Sequence, residues 1–164
     1  LSSLGNTTDA SGNTATEVDG YLGLAGEVAG FGYDVGYIYY AYMQLDDSDF
    51  SEIYANLSWN WLSGGIAYTV DGDAPDGSQF VQGDIYYYAT AAFDLDSLSS
   101  QLSGWSVGFT AGYYDFDVNN DVDYTQLQMD TTKSAGDFGD FTLTLANEDY
   151  TDDTSLAVSW TKTF

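Results

Sequence analysis

The residues best equipped for chemistry in this chain are carboxylates. "DFDVNNDVDYTQ" (115–126) places oxygen ligands at alternate positions, Asp115, Asp117 and Asn119, which is the rhythm of a calcium loop. Such a loop wants glycine at its sixth place and a bidentate glutamate at its twelfth. Here those places hold Asn120 and Gln126. Asparagine tolerates a left-handed turn, but a glutamine amide cannot chelate as a carboxylate does. "DGDAPDG" (71–77) is interrupted at Pro75. The spacing therefore favours solvated, cation-attracting loops over a dedicated calcium cage. Loosely bound Ca2+ is the one metal it suits, and no cofactor is called for. Carboxylate pairs of the glycosidase kind can be drawn in any Asp-rich chain, and nothing here separates an acid from a base. With no Cys and no His, thiol, iron–sulfur and Ser-His-Asp chemistry are excluded, and the commonest zinc ligand is missing. The chain reads as a non-enzyme.

The charge balance narrows the partners. Twenty-six acids face only Lys133 and Lys162, with no Arg, for a net charge of −24. Nucleic acid is excluded, because phosphate contacts need Lys and Arg, and anionic ligands are disfavoured for the same reason. Such charge often marks disorder, but 44% of residues are apolar and 17% aromatic, including 15 Tyr. No stretch approaches the 18 apolar residues of a transmembrane helix.

The elements that position these carboxylates are strands. Hydrophobicity alternates with a period of two in "EVDGYLGLAGEV", "FGYDVGYIYYAYM", "EIYANLSWNW", "GIAYTV", "DIYYYATAAFDL", "WSVGFTAGYYDF", "YTQLQMDTTK", "FTLTLA" and "SLAVSWTKTF", which predicts nine strands. The connections alternate in kind. One set is compact or low in charge: "AGFG", "LSGG", "DSLSSQLSG" and "SAGDFG". The other is longer and acidic: the N-terminal "GNTTDASGNTATE", then loops bearing Asp46, Asp47 and Asp49; Asp71, Asp73 and Asp76; Asp115, Asp117, Asp121 and Asp123; and Asp149, Asp152 and Asp153. Nineteen of the 26 acids lie in or beside the acidic set. An antiparallel up-and-down meander gathers them at one end. Short turns on one side, longer loops on the other and strands of about ten alternating residues are the signature of a transmembrane β-barrel. Tyr37, Tyr39, Tyr40, Tyr42, Tyr68, Tyr86, Tyr87, Tyr88, Tyr113 and Tyr114 then fall in the outer halves of their strands, and Phe31, Trp59, Trp61, Phe93, Trp105, Trp160 and Phe164 toward the opposite end, as two interfacial girdles would. The inward face carries Asn56, Ser58, Tyr86, Tyr88, Thr110, Gln126, Gln128, Asp130, Thr142 and Thr144. It is polar and nearly uncharged, with Asp130 its clearest mid-strand charge. The competing reading of the same alternation is a soluble β-sandwich or barrel, such as an acidic protein from a salty milieu.

At "FGYDVGYIYYAY" (31–42), "AYTVDGD" (67–73) and "SLAVSWTKTF" (155–164), the chain resembles the TorF-type porin family, proteobacterial outer-membrane proteins of unassigned substrate. The resemblance spans essentially the whole chain and implies a barrel of twelve strands. Single-chain bacterial barrels have an even strand number with both termini at the inner end. This chain ends at that inner end but starts within an acidic loop, so an odd number of strands, three by the resemblance, is expected upstream. In outer-membrane barrels generally, a terminal aromatic behind alternating apolar residues resembles the signal read by the assembly machinery, which assigns that role to Trp160 and Phe164. The family carries no agreed catalytic or ligand residues. The expected function is passive passage of small polar or cationic solutes through an acidic vestibule. The expected partners are the lipid bilayer, the assembly machinery and further copies of the chain. The alternative is a structural or adhesive extracellular β-assembly joined by strand edges.

Overall fold

A computed structural model of the chain describes residues 4–8, 14–75, 77–117, 122–149 and 154–163. They form one antiparallel sheet in which every strand pairs with the next, curled into a half-barrel. In chain order the strands are β1 (Leu4–Thr8), β2 (Thr14–Val28), β3 (Phe31–Met43), β4 (Phe50–Trp59), β5 (Leu62–Gly72), β6 (Ile85–Asp94), β7 (Trp105–Asp115), β8 (Tyr124–Ser134), β9 (Asp140–Glu148) and β10 (Thr154–Thr161). Among the described residues there is no α-helix, only single 3-10 turns at Ser100–Leu102 and Gly136–Phe138.

All nine expected strands form, and β1 makes a tenth where the sequence predicts acidic loop, which removes the basis for expecting an odd number of strands upstream. Its "LGNTT" has no alternation and holds Gly and Asn, both poor strand formers. It pairs because β2, at 15 residues, offers Thr14–Val18 as a ladder for Leu4–Thr8. A second departure concerns "LSGG", which reads as a turn but lies inside β5. The turn is Asn60–Trp61, closed by the pair Trp59↔Leu62, with Asn60 in the left-handed region at φ 53°. Asn accepts that conformation where most residues resist it, which leaves Gly64 and Gly65 free to serve as strand residues.

The registers assign the two faces. In β3, residues 32, 34, 36, 38 and 40 are half-buried while 31, 33, 35, 37 and 39 are exposed. Directly opposed residues of an antiparallel pair share a face, so the pairing carries this alternation around the sheet. The convex face holds Leu22, Leu24, Tyr37, Val35, Ile53, Leu57, Trp59, Ile66, Tyr87, Phe109, Leu127, Leu145, Leu156 and Val158, all exposed. The concave face holds the polar partners. The most buried side chains cluster on it near the acidic loops, among them Phe50, Phe116, Thr69 and Asp84.

Candidate functional site

All ten residues expected to face inward lie on the concave face. They follow from the registers Asp34↔Asn56 and Gly32↔Ser58, Ala67↔Tyr86 and Gly65↔Tyr88, Thr90↔Thr110, Gly112↔Gln126 and Thr110↔Gln128, and Gly108↔Asp130, with Thr144 and Thr142 opposite Asp130 and Thr132. Several are joined. The Tyr86 hydroxyl donates to Gln126 Oε1 (3.2 Å), Gln126 Nε2 to Gln128 Oε1 (3.2 Å), and Gln128 Nε2 to Asp130 Oδ2 (2.8 Å). Thr144 Oγ1 donates to the other carboxylate oxygen of Asp130 (2.6 Å). Residues two apart on a strand point the same way, so β8 presents this ladder as a continuous polar rail. Threonine pairs bridge other strands: Thr90 with Thr110 (2.7 Å) and Thr132 with Thr142 (2.8 Å).

This face is more acidic than the sequence reading expected. The registers also place Glu17, Asp19, Glu27, Asp34, Glu52 and Glu148 on it. Lys133, opposite Trp105, falls on the convex face and donates to the Ser103 carbonyl (2.7 Å). Asp34 Oδ1 accepts from the Tyr54 hydroxyl (3.2 Å), and Asn56 Oδ1 from that of Tyr88 (3.0 Å).

Tyrosine rings on this face lie over glycines of the neighbouring strand. A Cβ on Gly36 would come 2.7 Å from the Tyr54 hydroxyl and 2.8 Å from its Cζ. One on Gly65 would sit 2.8 Å from Tyr88 Cε1, and one on Gly112 2.7 Å from Tyr86 Cε2. Such distances are below van der Waals contact, so these three positions admit only glycine while the rings stay in place. The rings and carboxylates together line a cavity of ≈ 430 Å³ that includes Asp34, Glu52, Tyr54, Tyr86, Tyr88 and Tyr114.

Toward the acidic loops an aromatic cluster fills the concavity. Phe50 stacks on Tyr40 (centroids 4.4 Å apart) and on Phe80 (4.8 Å). Phe80 meets Tyr114 and Phe116 edge-on at 5.7 and 5.5 Å. Phe80 belongs to the β5–β6 connection, which folds inward and is anchored at Asp84. That side chain, 1% exposed, accepts from the amides of Val81 (3.1 Å) and Asp117 (3.0 Å). Sequence reading missed Phe80 and Phe116, since one aromatic inside an acidic loop carries no periodic signal.

The acidic-loop residues separate into groups. Asp46, Asp47 and Asp73 are exposed. Asp71, next to the last residue of β5, and Asp115, the last of β7, lie in strands rather than in loops. Asp49 accepts from the Tyr42 amide (2.8 Å) and the Tyr39 hydroxyl (2.7 Å), while Asp123 accepts from the Phe116 amide (2.8 Å) and the Tyr113 hydroxyl (3.1 Å). These are one device used twice at identical spacing, and "YYAYMQLDDSD" and "YYDFDVNNDVD" show it once aligned. Asp149 accepts from the Thr125 amide (2.7 Å). Among the described residues no three carboxylates converge to hold a metal ion. Asp76, Asn119, Asp121, Asp152, Asp153 and Phe164 lie outside the described residues. Trp160 is exposed on the convex face, and its indole N–H donates to the Phe138 carbonyl (2.8 Å).

A family model described as a bacterial protein of unknown function (Gcw_chp) matches residues 1–163. The chain belongs to this family. No curated protein matches it, and no solved structure does. The Gcw_chp description states no activity, so the reading of the concave face rests on its geometry.

Proposed function

We propose that this Gcw_chp chain is the greater part of a bacterial outer-membrane β-barrel, twelve strands when complete, that passes small polar or cationic solutes passively. The observation that carries the reading is the division of the sheet into two faces. Leucines 22 and 24 on the convex face are 80% and 74% exposed, and Leu57, Leu156 and Val158 are comparably bare. A monomer in water rarely exposes apolar surface on this scale, whereas lipid requires it. Convex Tyr37, Tyr39, Tyr87 and Tyr113 lie toward the acidic loops, and Phe31, Trp59, Phe93, Trp105 and Trp160 toward the turns. These positions suit two interfacial girdles around a hydrocarbon band. Strands β2 to β9, of 9 to 15 residues, suffice, since about 9–11 tilted residues span a bilayer. In this reading Trp160 and Phe164 form the signal for the assembly machinery. The exposed acids gather cations at the outer mouth, and the concave carboxylates guide them inward without a basic residue in their path.

The test is conductance of the detergent-purified full-length protein in a planar bilayer under a KCl gradient. Discrete steps with a reversal potential on the cation side are expected. Silence at every voltage, or anion selectivity, contradicts the proposal. One observation favours the alternative of an extracellular β-assembly: among the described residues, the outer edges of β1 and β10 carry no partner strand, and free edges invite pairing. Ordered fibres formed without detergent support that reading in place of the channel.

A further inference from the structure

Glu52 is a buried carboxyl group for which this chain supplies no counter-charge. The residue is 3% exposed. Its Oε2 accepts from the Tyr40 hydroxyl at 3.2 Å. Its Oε1 lies beside the Thr69 hydroxyl, a neutral group that supplies no counter-charge, and meets no other hydrogen-bond partner among the described residues. Burying a carboxylate without a counter-charge is costly. The chain has two cationic side chains in all, and both are elsewhere. Lys133 is on the convex face, and Lys162 lies beside Gly139 at the opposite end of the strands. The balancing charge must come from a solute cation or a proton.

The cavity that Glu52 lines says which kind of cation. Asp34 is the second carboxylate there, and the walls include the rings of Tyr54, Tyr86, Tyr88 and Tyr114. Tyr86 stacks on Tyr114 with centroids 4.6 Å apart and lies 5.8 Å from Tyr88. The hydroxyls of Tyr54 and Tyr88 are tied to Asp34 and Asn56, so these rings are held before anything binds. A calcium ion needs six or more oxygen ligands; this cavity offers two carboxylates among ring faces, and its amide oxygens, Asn56 Oδ1 and Gln126 Oε1, already accept from the Tyr88 and Tyr86 hydroxyls. A weakly hydrated organic cation loses little on leaving water and gains from both. Its charge is attracted by the ring quadrupoles, and its alkyl groups cover apolar ring surface.

We propose that this cavity binds a small organic ammonium ion, with its charge toward Glu52 and its alkyl groups on the tyrosine rings, while Asp34, four residues away along the paired strands, adds a more distant negative charge. The inference rests on reading the concave face as a solute path, and it names the solute class. Calorimetric titration of the full-length protein in detergent, with choline chloride, KCl and 3,3-dimethyl-1-butanol (the uncharged isostere of choline), tests it. Saturable binding of choline is expected, with the alcohol weaker by at least about tenfold for the lost charge and K+ by a similar factor because it is more strongly hydrated and brings no alkyl surface to the rings. Glu52→Gln weakens choline by a similar factor, and Asp34→Asn weakens it by less. Tyr88→Phe, which keeps the ring but loses its tie to Asn56, weakens choline less than Tyr88→Leu, which removes the ring. Equal binding of K+ and choline, equal binding of the alcohol, no choline binding, or unchanged affinity in both acid variants overturns the proposal. Binding in detergent is independent of conductance. A silent bilayer with choline binding refutes the channel and keeps the site, and a conducting bilayer without choline binding does the reverse.

Discussion

Replacing Gly112 by alanine is the sharpest probe of how the concave face is built. The new Cβ would lie against the Tyr86 hydroxyl and 2.7 and 2.8 Å from ring carbons Cε2 and Cζ. Gly112 sits mid-strand in β7 with paired backbone on both sides, so the ring is what must move. Moving it breaks the Tyr86–Tyr114 stack at 4.6 Å and the Tyr86–Gln126 hydrogen bond at 3.2 Å. An aromatic pair contributes about 0.5–1.5 kcal/mol and a hydrogen bond about 0.5–1.5 kcal/mol, so the expected destabilisation is about 1–3 kcal/mol. The assay is urea unfolding of the detergent-folded protein followed by tryptophan fluorescence. The decisive comparison is a double-mutant cycle. If the cost of Gly112→Ala arises through the ring, it vanishes in a Tyr86→Ala background. A neutral Gly112→Ala, or a full cost that persists without Tyr86, refutes the reasoning.

Asp49→Ala and Asp123→Ala each remove a carboxylate that closes a hairpin through an amide and a tyrosine hydroxyl. Each is expected to cost about 1.5–3 kcal/mol, with faster hydrogen exchange at the Tyr42 and Phe116 amides respectively. Phe80→Ala removes a ring that fills the outer end of the concavity, lowering stability by about 2 kcal/mol and raising single-channel conductance; an unchanged conductance places the constriction elsewhere. Cation selectivity in the bilayer is expected to fall as KCl rises from 0.1 to 1 M, because the Debye length shrinks from about 10 to about 3 Å. Selectivity that ignores salt points to a buried filter rather than to the exposed acids.

Period-two patterning makes most of the fold legible in the order of residues alone. Strands such as β3 and β7, with one face apolar and the other polar, can pair in only one register without turning their faces over. Local exceptions escape for local reasons. The glycines of "LSGG" look like a turn because glycine usually marks one; here Gly65 is bare to make room for Tyr88, its partner on the next strand. β1 exists only because β2 is long enough to pair with it. Asp34 and Glu52 sit on the concave face by parity, but parity cannot say that Glu52 is almost wholly buried there. The shared spacing of Tyr39 to Asp49 and Tyr113 to Asp123 is present in the sequence, and a search for internal repeats finds it. The inward fold of the segment carrying Phe80 depends on Asp84 reaching the Asp117 amide, a contact with no periodic signal.

The central claim is that the convex face meets lipid and the concave face meets water. The chain has no cysteine, so single cysteines can be placed at will. Convex Leu57, Ile66, Leu127 and Leu145 and concave Asn56, Ala67, Gln128 and Thr144 provide neighbouring positions on both faces of four strands. Spin labels at these sites in bilayer-reconstituted protein report collisions with oxygen, which concentrates in lipid, and with a water-soluble nickel chelate. The account predicts strict alternation, with oxygen-accessible convex sites and nickel-accessible concave sites. Convex labels that collide with the nickel chelate as freely as concave ones would contradict it.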